Sequence, residues 1–379
     1  QEQFFNTTNK TFDLRSNYTE PLGKGYYLGL SYQYVDNNER PQKDFYDRMA
    51  SEAILNESLS TAFKKQLDYH ISGLSIRKNR KNSKLSLGLQ YRLTNLEAIE
   101  RGVAENVSNQ FHHWLPSLNY NLDLSGTTSV RLSYFTNINV PSLNQLIPFP
   151  DNANPNLLVL GNPDLIPSYA HRVSLNFNLF DNFNFTNLYA GVQFSVEENR
   201  IVNRVIVDDN FIRTLIPINT NNFKSGRLNL SFAKPLKALG IKYRLSGGAN
   251  FADYTSFLND LESQVKEANV DFGITLENRK KEKLDIASGI KFSYNNRNYL
   301  ANSDFNQSFF NYNLFLDMNW FLTESFTLGS SFDWQQFSGE NFSNAQDFKL
   351  WNAFIEKTFN NNKWAIKFSV FDILKENQG

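Results

Sequence analysis

The chain has 379 residues with 38 basic and 38 acidic side chains, so its formal charge is zero and nothing favours nucleic acid or a polybasic membrane anchor. It has no cysteine, which excludes a disulfide framework and a thiolate metal site. Aromatic residues make up 15 %, with 34 Phe and 17 Tyr, yet mean hydropathy is -0.47. That pairing suits strands with one greasy and one wet face better than a soluble core.

The opening QEQFFNTTNK lacks the basic region and apolar stretch of a signal peptide, so a leader was removed or the chain begins partway through a larger protein. A short strand pattern over residues 12–18 leads into a tight turn at 21–25. Beyond it Tyr26, Leu28, Leu30, Tyr32 and Tyr34 alternate with Gly29, Ser31 and Gln33, the period of a half-buried strand. A polar stretch follows over residues 36–64, in which DFYDRMASEAILNESL reads as a short helix of only fair apolar spacing. After a turn at 79–84, Leu85, Leu87, Leu89, Tyr91 and Leu93 alternate with Ser86, Gly88, Gln90 and Arg92. Leu118, Tyr120, Leu122 and Leu124 then alternate with Ser117, Asn119, Asn121 and Asp123 up to the Ser125-Gly126 turn.

The next two strands flank the most unusual stretch of the chain. Val130, Leu132, Tyr134, Thr136 and Ile138 share one face before it; Val173, Leu175, Phe177 and Leu179 share one face after it. Between them, residues 140–171 read VPSLNQLIPFPDNANPNLLVLGNPDLIPSYAH and hold six of the eleven prolines. Proline fixes φ and has no N–H to give, so this is neither a helix interior nor a central strand. A connection this long is usually functional or disordered. Leu143, Leu146, Ile147, Phe149, Leu157, Leu158 and Leu160 argue that it is ordered and packed onto something.

Tight turns recur at 181–184, 235–240, 279–283, 323–325 and 360–363. Wider connections lie around Asp208 and at 256–263, 295–304 and 338–346. Eight tight turns imply about sixteen strands in hairpins, with short and long connections taking turns. That asymmetry is the layout of an outer-membrane barrel; a sandwich or propeller gives no reason for it. No run of eighteen apolar residues exists, but a transmembrane barrel needs none, because lipid-facing and lumen-facing residues alternate. Several apolar runs end in aromatics, among them Tyr32, Tyr34, Trp320, Phe321 and Trp334, as an interfacial girdle would. Residues 186–207 and 211–232 outlast the ~9–11 residues that cross a bilayer and should project past it on the long-loop side.

Little in the sequence supports catalysis. No GxSxG, HExxH, P-loop or Rossmann fingerprint occurs. Of the histidines, His112 and His113 are adjacent, so on a strand their rings point to opposite faces and cannot share a metal. His70 stands apart in sequence, and His171 fits a hydrogen-bonded girdle position better than a ligand. Ser168 near His171 is the one pair a barrel hydrolase could use, and a loop hydrogen bond fits it better. Arg92, Arg131, Asp123, Arg244, Lys242 and Asp317 fall on the wet face and are candidates to line the lumen. Neither a cofactor nor a metal is expected.

The order RLSY (131–134), PSLNQL (141–146), Pro148 and GNPDLIPSYAH (161–171), with LPSLNY (115–120), resembles the barrel of TonB-dependent outer-membrane receptors. The version most like it is the outer-membrane β-barrel family common in Bacteroidota. The motif positions are Pro141, Gln145, Pro148, Gly161, Asn162, Pro163, Leu165 and Pro167; the family's usual glutamate after GNP-x-L-x-P is here Ser168. The resemblance implies an all-β, antiparallel up-and-down transmembrane barrel. About sixteen strands of a twenty-two-stranded whole would be present, so residues 1–379 would be one partial barrel domain without its plug or terminal strands. WAIKFSVFDILKENQG (364–379) resembles the family's penultimate strand. Such a receptor sits in outer-membrane lipid and contacts the TonB complex through the plug. It takes up a scarce nutrient: a siderophore, cobalamin, a glycan or a peptide. The lumen wall would hold the plug. A passive porin-like channel of sixteen strands is the alternative that strand number alone suggests, and a barrel enzyme is a third class.

Overall fold

The computed structural model describes residues 2–49, 52–57, 60–100, 107–146, 156–259, 261–339, 346–360 and 363–376. Among them twenty strands form one sheet. The sheet opens with β1 (Glu2–Gly23), β2 (Tyr26–Met49), β3 (Glu52–Leu55), β4 (Thr61–Arg80), β5 (Ser83–Glu100), β6 (Val107–Asp123) and β7 (Thr128–Asn139). One helical turn, α1 (Leu143–Leu146), follows. Next come β8 (Leu157–Val159), β9 (Ser168–Asp181), β10 (Thr186–Glu198), β11 (Arg200–Val207), β12 (Arg213–Thr220) and β13 (Phe223–Leu236). The chain finishes with β14 (Ile241–Leu258), β15 (Leu261–Asn278), β16 (Leu284–Tyr299), β17 (Gln307–Thr323), β18 (Phe326–Gly339), β19 (Gln346–Phe359) and β20 (Trp364–Val370).

Four of these strands, β3, β8, β11 and β12, are short outworks, all at the end of the sheet away from the tight turns. The other sixteen form an antiparallel meander, and its tight turns fall at the positions the alternation implies. The two parallel contacts, β11 with β14 and β8 with β12, both involve outworks. Among the described residues β1 pairs only with β2 and β20 only with β19, so the sheet is open along those two edges.

Register shows why these residues make this sheet. Residues directly opposite on neighbouring strands share a face. Followed across β5 to β15, one row reads Leu85, Tyr120, Leu132, Leu175, Val192, Leu228, Ala249 and Val270. The adjacent row on the other face reads Ser86, Asn119, Ser133, Ser174, Gln193, Arg227, Asn250 and Asn269. A one-residue slip at any pair would bring a residue of the wet face into the apolar row, so the pattern fixes the register. Within the wet rows Ser133 Oγ lies 2.6 Å from Ser174 Oγ, and Arg227 Nε donates to Asn250 Oδ1 at 2.6 Å.

Three local expectations change. Residues 44–49 are not helical: they complete β2, where Phe4 and Tyr46 meet edge to face across the β1 pair, and residues 52–55 fold back as β3. Backbone pairing to a strand some forty residues away outweighs weak local helix spacing. The connection at 256–263 is not wide; Leu258 pairs with Leu261 at the tip of a long hairpin. The projecting stretches 186–207 and 211–232 do not run on as single strands. They break at Asn199 and Asn222, both at positive φ (52° and 76°), so β11 and β12 lean away as a separate hairpin.

Turn chemistry supports the tight end. Gly25, at φ 79°, lies against the Asn79 carbonyl so closely that a Cβ would clash, which is why only glycine fits. At the β9–β10 turn the Asp181 carboxylate accepts from the Asn184 side chain at 2.8 Å and from the N–H groups of Phe183 and Asn184 at 2.9 and 3.2 Å. Those bonds, the Asn184 side chain first, hold its carboxyl below the usual carboxylate range. Short turns of outer-membrane barrels face the periplasm. Asn210→Cys, at the exposed β11–β12 tip, should therefore label with an impermeant thiol reagent on intact cells. Asn182→Cys, in the β9–β10 turn, should label only after the outer membrane is ruptured. The reverse pattern would invert the topology.

Candidate functional site

The connection from β7 to β9 is built by its prolines and asparagines. Pro141, fully buried, leads into α1. The Ser142 carbonyl accepts from the N–H of Gln145 at 3.1 Å and of Leu146 at 3.2 Å. The Gln145 side chain reaches back to the Ser142 N–H at 2.9 Å, one arm of a capping box. The Gln145 carbonyl accepts from the Asn162 N–H at 2.8 Å, which ties the first half of the motif to the second. Asn162 Oδ1 accepts from the Asp164 N–H at 3.0 Å, an Asx turn around exposed Pro163, while its Nδ2 donates to the Pro217 carbonyl at 3.0 Å. Gly161 is half-buried, Leu165 and Pro167 are buried, and Pro148 lies outside the described residues, as do Ile147 and Phe149.

A second set of bonds joins this loop to the β11–β12 hairpin. The Ile166 N–H donates to Asn219 Oδ1, and Asn219 Nδ2 donates to the Ile166 and Asn199 carbonyls, all at 2.7–2.9 Å. Leu160 N–H donates to the Leu215 carbonyl at 2.9 Å, extending the β8–β12 pairing. Asn219 and fully buried Pro217 thus act as the loop's receiver. The sequence offered one clue, a proline inside an otherwise strand-like run.

The loop packs inward. Leu143, Leu146 and Leu165 join Phe63, Leu96, Ala98 and Val107 in one buried cluster, flanked by Leu67, Phe111, Val140 and Ile201. On β5, Leu96 and Ala98 continue the wet face of Gly88, Gln90 and Arg92 beyond the bilayer-length part of the strand. The lumen face turns apolar there because the loop covers it. Each buried leucine contributes about 1.5–3 kcal/mol. Lys65, in the same layer, donates its Nζ to the Pro141 carbonyl at 2.9 Å, and burial pushes its ammonium below the usual lysine range. The proline loop is therefore a clamp across part of the lumen mouth. Leu157, Leu158 and Leu160 stay half-buried or exposed.

Ser168, which stands where the family glutamate would, is buried and donates its hydroxyl to Glu197 Oε1 at 2.7 Å. A carboxylate is present after all, supplied by β10. Glu197 also faces Arg200 at 3.9 Å, whose guanidinium sits 3.8 Å over the Phe223 ring.

The lumen candidates lie in separate places. Arg92 lies over the Tyr69 ring at 4.0 Å and its Nε donates to Thr94 Oγ1 at 3.0 Å. Arg131 stands between Asn121 and Asn176 in register, and Asp123 stands opposite Ser129. Arg244 faces Glu277 at 3.8 Å, Lys242 pairs in register with Pro235 and Glu277, and Asp317 lies opposite Ala287 and Ser331. They are spread around the wall and form no single cluster. Among the described residues no group of three or more His, Asp or Glu side chains could hold a metal. Three histidines instead lie beside tyrosines of the adjoining strand: His70 Nδ1 is 2.8 Å from Tyr32 Oη, His112 is 2.6 Å from Tyr91, and His171 is 2.9 Å from Tyr134. No helix among the described residues is long and apolar enough to cross a membrane.

An antiparallel meander with one apolar and one amide-rich face, tight turns at one end and an ordered clamp at the other, defines an outer-membrane β-barrel. The chain belongs to the outer membrane protein beta-barrel family, whose sequence model matches residues 1–299. Its location is the outer membrane. Among solved structures the chain is similar to the copper transporter OprC, with 13 % identity, a TM-score of 0.56 and coverage of 87 % of this chain and 51 % of that one. It is also similar to the FpvAI–pyocin S2 complex, at 12 % identity, a TM-score of 0.49 and coverage of 87 % and 45 %. A third similar structure is the RagAB peptide importer in the open-open state, at 7 %, 0.41, 98 % and 58 %. The chain thus spans about half the length of the first two. The likeness to OprC is one of fold. No curated protein sequence matches the chain.

Proposed function

We propose that this chain forms the larger part of the wall of a TonB-dependent outer-membrane receptor, which binds a scarce nutrient at its extracellular end and imports it with energy passed through TonB. The observation that carries the reading is the clamp: a proline loop with the receptor-type motif, folded onto the lumen face at the mouth. The open edges at β1 and β20 favour a larger barrel, of which residues 1–379 are one partial domain, over a closed sixteen-stranded porin. In the whole protein a plug domain would rest on the amide-rich wall and meet TonB. The OprC fold likeness fits transport, and no residue is assigned a catalytic role.

On this reading the β11–β12 tip is a nutrient contact. Phe211 is 81 % exposed and held at φ 62° by hydrogen bonds around Asp208, a strained backbone for a bulky residue. In cells carrying the full-length protein, uptake of the nutrient that supports growth should stop when TonB is removed. Phe211→Gly, which relieves the backbone strain, should weaken uptake without lowering stability. Uptake that persists without TonB would return the passive channel.

A further inference from the structure

Among the described residues the β6–β7 ladder stops within the height of the membrane. Pairing runs from Asp123 with Ser129 at the tight turn to Ser117 with Phe135 and goes no further. Both strands continue toward the mouth on their other neighbours, β6 on β5 as far as Val107 with Ala98, and β7 on β9 as far as Asn139 with Ser168. The β4–β5 and β14–β15 hairpins, by contrast, stay paired almost from end to end. Ser117 lies six residues above Asp123, and Trp114 lies nine above it. At about 3.3 Å per residue and a tilt of about 35–45°, those are heights of roughly 14–16 and 21–24 Å in an apolar band about 25 Å tall. The two strands therefore fork inside the upper part of the band.

Backbone groups in hydrocarbon need partners, and at the fork side chains supply them. Pro116 has no N–H to leave unpaired. Its carbonyl accepts from Thr136 Oγ1 at 3.2 Å, and the Trp114 carbonyl accepts from Tyr169 Oη at 2.6 Å. The Tyr169 ring also stacks on His113 at 6.0 Å and meets His171 edge-on at 4.7 Å. Two hydroxyls thus stand in for the ladder, and parting them breaks no strand pair. A bend that merely ended a hairpin would sit above the bilayer, where water takes the carbonyls.

The two sides of the fork differ in chemistry. Trp114, 60 % exposed, stands on the lipid side. On the lumen side Arg92 lies opposite His113 in register, and His113 Nδ1 is buried with no hydrogen-bond partner among the described residues. On the facing bank Arg172 is exposed, its guanidinium 5.4 Å from the Phe135 ring. Neither arginine is in an ion pair among the described residues, and Arg92 spends only its Nε, on Thr94. Glu197, two residues past the partner of Arg172 on β10, is taken by Ser168 and Arg200. The clamp roofs the lumen face from Leu96 upward, four residues beyond Arg92 on β5. The lumen side therefore calls for one anionic head, and the lipid side for an apolar tail.

We propose that the fork is a lateral portal for a long-chain carboxylate. The carboxylate sits on Arg92 and His113 at the lumen side, with Arg172 keeping the facing bank cationic. The acyl chain passes between Pro116 and Thr136 into the outer leaflet, and the Tyr169 hydroxyl is the latch that closes the way when it is empty. This deepens the receptor reading by naming a class of cargo, amphiphiles exchanged with the membrane through the wall. The measurement below needs neither TonB nor uptake, so crosslinking that succeeds where TonB-dependent uptake fails would leave the portal standing without that reading.

The test uses full-length protein in lipid vesicles and palmitic acid carrying a photoreactive diazirine beside its carboxylate, with hexadecanol carrying the same group as the control probe. Crosslinks are mapped by mass spectrometry. Wild type should give saturable crosslinks to lumen-facing His113, Leu115 or Phe135, about tenfold more with the acid than with the alcohol. These 379 residues contain no cysteine, so Pro116→Cys with Thr136→Cys places a single disulfide across the fork. Oxidised, that variant should lose the lumen crosslinks, and reduction should restore them. Tyr169→Phe, which keeps the ring and removes the latch, should raise them severalfold. Arg92→Gln should equalise the two probes, while Arg92→Lys should keep the preference for the acid. Wild-type crosslinks confined to lipid-facing residues, or equal for acid and alcohol, would overturn the proposal, as would lumen crosslinks undiminished by the closed disulfide. If the Arg92 or Tyr169 variants do not fold, the disulfide decides, since it is closed and opened in protein already folded.

Discussion

Arginine at Leu132 or Leu175 should destabilise the folded protein in a bilayer by roughly 2–4 kcal/mol, while arginine at Asn121 or Ser133 should cost far less. The two leucines are paired across β7 and β9 and flanked in the same row by Tyr120 and Val192, so a charge there enters hydrocarbon with no polar neighbour on its face. Asn121 and Ser133 stand in rows of Arg131, Asn119, Ser174 and Asn176, where a guanidinium finds acceptors and water. The measurement is reversible denaturant unfolding of the full-length protein from lipid vesicles. Equal costs for the two pairs would mean that the membrane lies against the other face, or that the register is off by one residue.

The meander was legible because two demands act on every residue of a membrane strand at once. Lipid on one side and water on the other impose a period of two, and any exception must be a turn or lie outside the bilayer. That is why eight turns and about sixteen strands could be read from alternation, and why the outworks could not. Once the chain leaves the bilayer, neither face is constrained and long-range pairing decides. Residues 44–49 look weakly helical on their own, and pairing makes them extended, 44–46 with β1 and 46–49 with β3. The clamp was half legible. Prolines and the GNP run marked an ordered loop, and Leu143 and Leu146 marked its buried side. Its partners Lys65, Asn219 and Glu197 are 29 to 76 residues distant along the chain, and nothing near them in sequence names the loop they serve. Ser168 shows the same limit. A departure from the family pattern at one position is compensated from another strand, which local reading does not see.

Leu165→Ala should open the clamp and leave the barrel standing. Leu165 is fully buried at the centre of the cluster formed with Leu143, Leu146, Phe63 and Leu96. Removing most of a buried leucine costs about 2–5 kcal/mol, the larger part of that range applying where the neighbours cannot collapse. Here Leu96 and Ala98 belong to β5, which is paired on both sides and held in place, so the void stays. The strand ladder itself loses nothing, because the cluster lies on a loop laid over it, and loop and ladder can open separately. The expected readout is local. The amides of Leu160, Asn162 and Ile166, which bond Leu215, Gln145 and Asn219, should exchange about 30- to 4,000-fold faster, the rate equivalent of about 2–5 kcal/mol at 1.4 kcal/mol per tenfold. Amides in the middle of β7 and β9 should be unchanged. Leu165→Met, which keeps the volume, should cost under about 1.5 kcal/mol and preserve most of the protection. Loss of protection spread evenly over the strands would show that the loop is part of the barrel's own stability and not a separable clamp. No change at all would show that Leu165 does not hold it.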